Sequence, residues 1–508
     1  MNHYDMNKNI FMRRTFLLLF AVVGLLTLYS RPVASQTRIL ELNLADVIRI
    51  AKEQSPSAIL ATHRFRGSYW EYRTHVAKFR PGLELTSTIP DLTRSIDRIT
   101  KDDGTDIFVT RKLVNSTLDL SLTQNIPFTG GSIFMSSGLE RIDPLGTTTS
   151  GTSYLSSPVS IGFRQPIRAH NTFRWEKEIE PLKYEEAQKN YLESMETVSQ
   201  RAVDYFFNLA VAQVNLVIAE VNYSNNDTLF RIAQGRYNIG TIAENELLQM
   251  ELSFLNAGTA LNESRVQLEM QKFRLRSFLG YNETVDINLI IPSEIPELEV
   301  DVTFALSEAK RNNPEIISMQ RQLLEASRDV AAAKAQKGLT ADLFATFGLT
   351  KQATEFSDAY YNPEDGERVR VGVELPILDW GLRRGQYRMA QSAEEVVKTN
   401  VLQSEIDFEQ EVMLQVMQFN LQDDQLRIAA KADTIAQNRY EVTKQRFLIG
   451  NVDVTDLNIA LTDKDAARRS YITSLNNYWS YFYNIRRLTL YDFMADAPLS
   501  SDYEELVR

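Results

Sequence analysis

Apolar residues along this chain follow two periods that alternate in a fixed order. Over Ala187–Tyr237, Leu192, Met195, Val198, Ala202, Tyr205, Phe206, Leu209, Ala212, Leu216 and Ala219 recur at three- and four-residue steps, with no proline in the stretch. That spacing keeps one face of a helix apolar and predicts a helix of unusual length. Gln386–Ile449 repeats the pattern. Elsewhere the period shortens to two. In "TLDLSL", Leu118, Leu120 and Leu122 alternate with polar residues, as in a strand with one wet face. The segments "LELTSTI", "VSIGFRQ", "DLFATFGL" and "VRVGVEL" read similarly. Helices are also predicted at Leu44–Phe79 and Phe304–Lys337, broken or kinked at Pro56 and Pro314. Pro166 and Pro376 are expected to end strands, with Asn171 or Asp379 capping the helix that follows.

These elements occur twice. Pro56, Ala51, Ile59 and Ala77 match Pro314, Ala309, Ile317 and Ala335; Gly162 and Pro166 match Gly372 and Pro376. From Val159 to Tyr281 the offset between copies holds at about 210 residues, and before that it is larger because the segment after Pro81 is longer in the first copy. The phrase "RYNIGTIAENELL" at Arg236 returns as "RFLIGNVDVTDLN" at Arg446. Gly240 and Gly450 are read as the turns where each long helix doubles back, since glycine accepts the positive φ of a helix end. Thr241 and Asn451 are expected to cap the returning helices. A long helix of about 65 residues spans roughly 100 Å and a short one of about 36–38 residues roughly 55 Å, so two short helices end to end match one long one. The chain divides into a signal peptide (1–35), a first repeat (36–281), an inter-repeat linker (282–302), a second repeat (303–491) and a C-terminal tail (492–508). In the first repeat, "GTTTSGTSYLSS" from Gly146 reads as an exposed loop.

Composition narrows the chemistry. There is no cysteine, which excludes thiol catalysis, thiolate metal sites and disulfides. A net charge of −11 argues against a nucleic-acid partner. The N-terminus places Lys8, Arg13 and Arg14 before an apolar run and the small residues of "RPVASQ", the layout of a cleaved secretory signal. No other apolar run looks long enough to cross a bilayer as a helix, so a spanning form must be a closed β-barrel. His63 and His75 lie about three turns apart on one helix, too far to share a metal. No nucleotide-binding loop or catalytic motif is present. No enzymatic activity, cofactor or metal is expected.

The Ser/Asn-Pro helices, "RQPIRAHNTFRWE" at Arg164, "ELPILDWGLRRGQ" at Glu374 and the two glycine phrases together resemble the TolC-like outer-membrane efflux proteins of Gram-negative bacteria, over about Leu42–Tyr491. The resemblance implies a mostly α fold with a β-barrel portion: a duplicated helix–strand–strand–helix–helix unit forming a trimeric α-barrel and a shared transmembrane β-barrel of twelve strands in outer-membrane lipid. It implies that the tips dock a periplasmic adaptor through Arg236, Tyr237, Ile239, Gly240, Thr241, Arg446, Phe447, Ile449, Gly450 and Asn451. It places Glu246, Asp453 and Asp456 at a pore constriction; a second family aspartate is Ile459 here, with Asp463 nearby. Pro166, Pro376, Asp379 and Gly381 mark the strand-to-helix junctions, and the first junction lacks the glycines usual there. The implied function is the exit duct of a tripartite efflux pump or type I secretion system, driven by an inner-membrane transporter. The competing reading is a periplasmic coiled-coil adaptor or scaffold without a pore.

Overall fold

The computed structural model describes residues 39–146, 151–281, 285–292 and 298–508. The expected signal peptide, and parts of the Ser/Thr-rich stretch and of the linker, lie outside them.

Strand β1 (Ile39–Leu42) leads into α1 (Leu44–Gln54), whose first turn is closed by Asn43 and Asp46: each side chain accepts from the other's backbone N–H. Ser55 then ends α1 in an extended conformation and caps α2 (Pro56–Lys78) through Ala58 N–H. Pro56 sits at the first turn of α2, where its missing N–H costs nothing. The second copy repeats the device, with Asn313 between α5 (Val302–Asn312) and α6 (Pro314–Gln336). The Ser/Asn-Pro step is therefore a clean break with a new cap rather than a kink.

Six strands follow α2 and α6: β2 (Gly82–Thr100), β3 (Asp106–Ile126), β4 (Gly131–Pro144), β5 (Ser153–Ile167), β7 (Thr340–Ala353) and β8 (Glu364–Glu374). They form one antiparallel sheet in the order β2-β3-β4-β5-β7-β8. Three chains sharing twelve strands would need four from each, and the described residues supply six. The loop expected from Gly146 is corrected in its second part, because Ser153 to Ser157 belong to β5 and lie in its ladders. Pro166 does not end its strand either. It still pairs with Asp342, and the strand runs on to Ile167.

The sheet has two chemically distinct faces. Leu83, Leu122, Met135, Ile161 and Phe347 form one cross-strand row, all exposed, and Val369, Val371 and Val373 extend the same face on β8. Glu84, Ser121, Ser136 and Ser160 form a row on the opposite face.

The long helices are α3 (Thr172–Asn238) and α7 (Leu382–Leu448), each of 67 residues; the returning helices are α4 (Glu244–Leu279) and α8 (Val454–Thr489), each of 36. Next to the tips the row runs α4–α3–α8–α7, and towards the sheet it runs α2–α3–α6–α7. Short helices stack on short ones between continuous long columns, as the lengths require. A parallel pair between β1 and β6 (Asp286–Leu289) joins the N-terminal strand to the linker.

The main core lies midway, around Phe206, Phe207, Phe419, Tyr478 and Phe482. Among the described residues α3 alone is long and apolar enough to cross a bilayer by length and composition, which corrects the expectation of no such run. Phe206, Phe207, Leu209 and Ala210 are nevertheless buried in this core, so helices rather than lipid cover that part of it. The C-terminal tail returns here too: Tyr503 packs 5.3 Å from the Phe65 ring and Leu506 C=O accepts from Arg66 Nε.

Candidate functional site

The two hairpin tips are built alike. Past α3, Gly240 takes φ +74°; its N–H donates to Tyr237 C=O (2.9 Å) and that of Thr241 to Arg236 C=O (2.9 Å). Past α7, Gly450 takes φ +81°, with Gly450 N–H on Phe447 C=O (3.0 Å) and Asn451 N–H on Arg446 C=O (2.9 Å). This is the paired bonding that closes a helix with a left-handed glycine. Nothing lies within 4 Å of where a Cβ would stand at either glycine, so backbone conformation alone demands the residue.

Thr241 and Asn451 do not cap the returning helices. Thr241 bonds backward, its Oγ also donating to Arg236 C=O. α4 begins after Ala243 with no side-chain cap, and α8 is capped by Asp453, whose carboxylate accepts from Asp456 N–H (2.9 Å). The turns are two residues longer than the glycine phrase suggested.

The tips also pack on one another. The Arg236 guanidinium lies 5.7 Å from the Phe447 ring centre and donates to Leu448 C=O. Phe447 is buried with Tyr440, Leu457 and Ala460, so in this chain it is a core residue of the paired tips, not a surface contact. Ile239 and Ile449, by contrast, are about three-quarters exposed at the turns, at 75% and 72%. Tyr237 and Arg446 are exposed as well. Between the tips is a cleft of about 520 Å³ lined by Ile232, Arg236, Glu246, Met250, Phe447 and Asp453. Glu246 and Asp456 occupy exposed first-turn positions of α4 and α8, where acids suit the helix dipole. Asp463 is held by Arg439 in an ion pair of 2.5 Å, and Ile459 is exposed.

At the opposite end of the long helices, two junctions join them to the sheet. Asp379 is not the formal cap of α7, since Gly381 (φ +88°) holds that position, but its carboxylate accepts from Gly381 N–H (2.9 Å) and Arg383 N–H (3.2 Å). Those backbone donors hold the Asp379 carboxyl below the usual carboxylate range. Pro376 follows the end of β8. The first junction, without glycine, uses Arg168 at φ +57° instead. Asn171 caps α3 through Arg174 N–H and donates to the carbonyls of Pro127 and Phe128, pinning the β3–β4 turn to the helix start. The sequence offered no sign of that second bond. Phe128, Ile377 and Trp380 stand more than nine-tenths exposed at this boundary, where the apolar sheet face ends.

The family model for outer membrane efflux proteins matches residues 124–281 and 305–489, together more than half of the chain. The match to the first copy begins after β2 and nearly all of β3. No curated protein matches. Among solved structures, the CmeC outer membrane channel of Campylobacter jejuni is similar over 91% of this chain and 88% of its own, at 14% identity and a TM-score of 0.64. The outer membrane protein VceC of Vibrio cholerae is similar over 90% and 97%, at 14% identity and a TM-score of 0.62. At such identities the likeness is one of fold.

Proposed function

The chain belongs to the outer membrane efflux protein family, an outer-membrane channel extending into the periplasm, and from that premise we propose that three copies close into one duct. The observation that carries this is a pair of unpartnered apolar stripes at the two ends of the helix row. On α7, Leu414, Leu421, Ile428, Ile435 and Val442 recur every seven residues, all exposed. On α4, Leu248, Leu252, Leu255, Val266, Met270 and Phe273 are exposed at three- and four-residue steps where the stripe is densest. Seven-residue spacing is the pattern of helices that pack along a shared seam, and one copy's α4 edge is the natural complement of the next copy's α7 edge. Native mass spectrometry in detergent should give a trimer. Ile428→Glu with Ile435→Glu should abolish the trimer, and a trimer unaffected by that pair would overturn the seam.

In this reading the duct is passive. Cargo enters from an inner-membrane transporter through a periplasmic adaptor that grips the exposed tip residues Tyr237, Ile239, Arg446 and Ile449. Replacing Gly240 and Gly450 with Val costs about 1–2 kcal/mol per residue, because a side chain resists positive φ. The double variant should still insert and trimerise, yet lose adaptor crosslinking and export. Normal crosslinking would remove the tips from docking.

Glu246, Asp453 and Asp456 form the proposed constriction. Threefold repetition brings like charges towards one axis, a cost tolerable only where water or cations screen them. Asparagine still caps a helix, so Asp453→Asn with Asp456→Asn removes charge while keeping the cap. In planar bilayers this variant should show weaker block by multivalent cations and reduced cation preference. Unchanged block would assign both residues to helix capping alone.

A further inference from the structure

We infer that the transmembrane wall of this channel contains eighteen strands, six from each copy, rather than twelve. The inference rests on the trimer proposed above. Its own evidence is a hairpin present in the first repeat and missing from the second.

Matching positions are 258 residues apart at Pro56 and Pro314 but 210 apart at Gly162 and Gly372. The first copy therefore holds 48 residues that the second lacks, and they fall between those two points. Strands β2 and β3 with their turns occupy Gly82 to Gly130, a stretch of that size. The second copy crosses the sheet once out and once back, through β7 and β8; the first does so twice.

An added hairpin could hang outside a twelve-stranded wall, but the pairing excludes this. If β4 were a wall edge, its outer side would be free for the next copy. That side is occupied by β3 in an unbroken ladder from Leu113↔Pro144 to Ile126↔Gly131. Among the described residues, the unpaired edges of the sheet are β2 and β8. Open edges cannot face lipid, so closure between copies must join β2 of one to β8 of the next. The strands alternate in direction across the sheet, so β2 and β8 meet antiparallel, as an even-stranded barrel requires.

The chemistry of the faces agrees. Leu83 and Leu85 on β2 pair with Leu122 and Leu120 on β3, and the Leu122 row continues into Met135, Ile161 and Phe347 on one face. Glu84, Thr86, Asp119 and Ser121 lie on the other, in line with Ser136 and Ser160. A hairpin hanging in water has no reason to keep an apolar face in register with the wall. At its base, Gln124 and Asn125 donate to the carbonyls of Phe79 and Lys78, fixing β3 to the end of α2. Beyond the end of β4 the hairpin turns charged, with ion pairs Arg98–Asp106 and Arg111–Asp97, as suits a ribbon rising above the membrane.

Width follows from strand number. With strands about 4.8 Å apart and tilted by about 40°, eighteen strands give a backbone diameter of about 36 Å, against about 24 Å for twelve. The barrel is then far from limiting, and selection by size falls to the periplasmic tips.

The absence of cysteine makes disulfide mapping clean. Thr86→Cys on β2 would be combined, one at a time, with cysteines at Glu364, Gly366, Arg368, Arg370 and Gly372 of β8, which share its polar face; Ser136→Cys on β4, on that face too, would be combined with the same set. The intrachain pair Thr86→Cys/Asp119→Cys reports that the hairpin is folded. We expect β2–β8 pairs to link chains into a ladder ending at three, with native mass also three and no β4–β8 links. Chain-to-chain links from β4 but not β2, at a mass of three, would overturn the eighteen-stranded wall and leave the trimer. Links from β2 at any other mass would overturn the count through the trimer and leave β2 as the wall edge.

Discussion

Leu120→Arg should abolish assembly in the outer membrane, whereas Ser121→Arg, one residue away, should be tolerated. Leu120 lies on the apolar face between Leu85 and Ser137, and Ser121 lies on the polar face between Glu84 and Ser136. An arginine facing lipid near the midplane of a barrel costs about 2–4 kcal/mol. Three copies bring the penalty to on the order of 6–12 kcal/mol per trimer, comparable with the whole stability of a typical folded domain. On the polar face an arginine meets water and the Glu84 carboxylate. The readout is the fraction of protein with heat-modifiable gel mobility in purified outer membranes. Equal insertion of both variants would mean that β3 does not face lipid, which would also remove the physical basis for placing the added hairpin in the wall.

How far the sequence carried the fold depends on how local each determinant is. The duplication, the long helices and the glycine turns were legible because each rests on residues close in sequence: a 3.6-residue stripe, a Pro after a cap, a Gly at positive φ. The strand count was not. The segment after Pro81 was visibly long, but whether it formed loops or a second hairpin depends on register with β4, a pairing between distant residues. "TSYLSS" looks like a loop by composition, yet Ser156 becomes buried in β5, its hydroxyl donating to Ala359 C=O. The tips show the same limit. Phe447 and Tyr237 hold matching positions in the repeated phrase, but one is buried and the other exposed. The repeat cannot say which copy's aromatic falls inside the row α4–α3–α8–α7. The glycine-free junction departs visibly from the family pattern; its solution, a positive φ at Arg168 with Asn171 tying down a distant turn, depends on the fold.

Glu196→Ala should weaken the helical region of the channel substantially. Glu196, on α3, is 2% exposed and was unremarkable in sequence, one acid among many on a long helix. Its carboxylate accepts from Lys52 Nζ on α1 (2.7 Å) and from Arg486 Nε on α8 (3.0 Å); Arg486 also reaches Asp492 (2.7 Å) and stacks near the rings of Phe482 and Tyr483. One buried acid thus holds together the first helix, a long column and the end of the second repeat. Removing it leaves the Arg486 guanidinium, little exposed, with half its compensation. Breaking a buried pair from one side costs about 3–5 kcal/mol. Lys52 is more open to solvent and Arg486 keeps Asp492, which places the expected loss near the lower end. Glu196→Gln keeps the volume and one acceptor and should cost less. Because the groups act together, Glu196→Ala combined with Arg486→Ala should cost less than the two single changes summed. The measurement is the temperature at which the assembled channel loses its gel mobility: lowered most for Glu196→Ala, less for Glu196→Gln, and partly restored in the double variant relative to additivity. A Glu196→Ala channel as heat-resistant as the original would show that the cluster contributes nothing net, its attraction cancelled by the cost of keeping three charged groups from water.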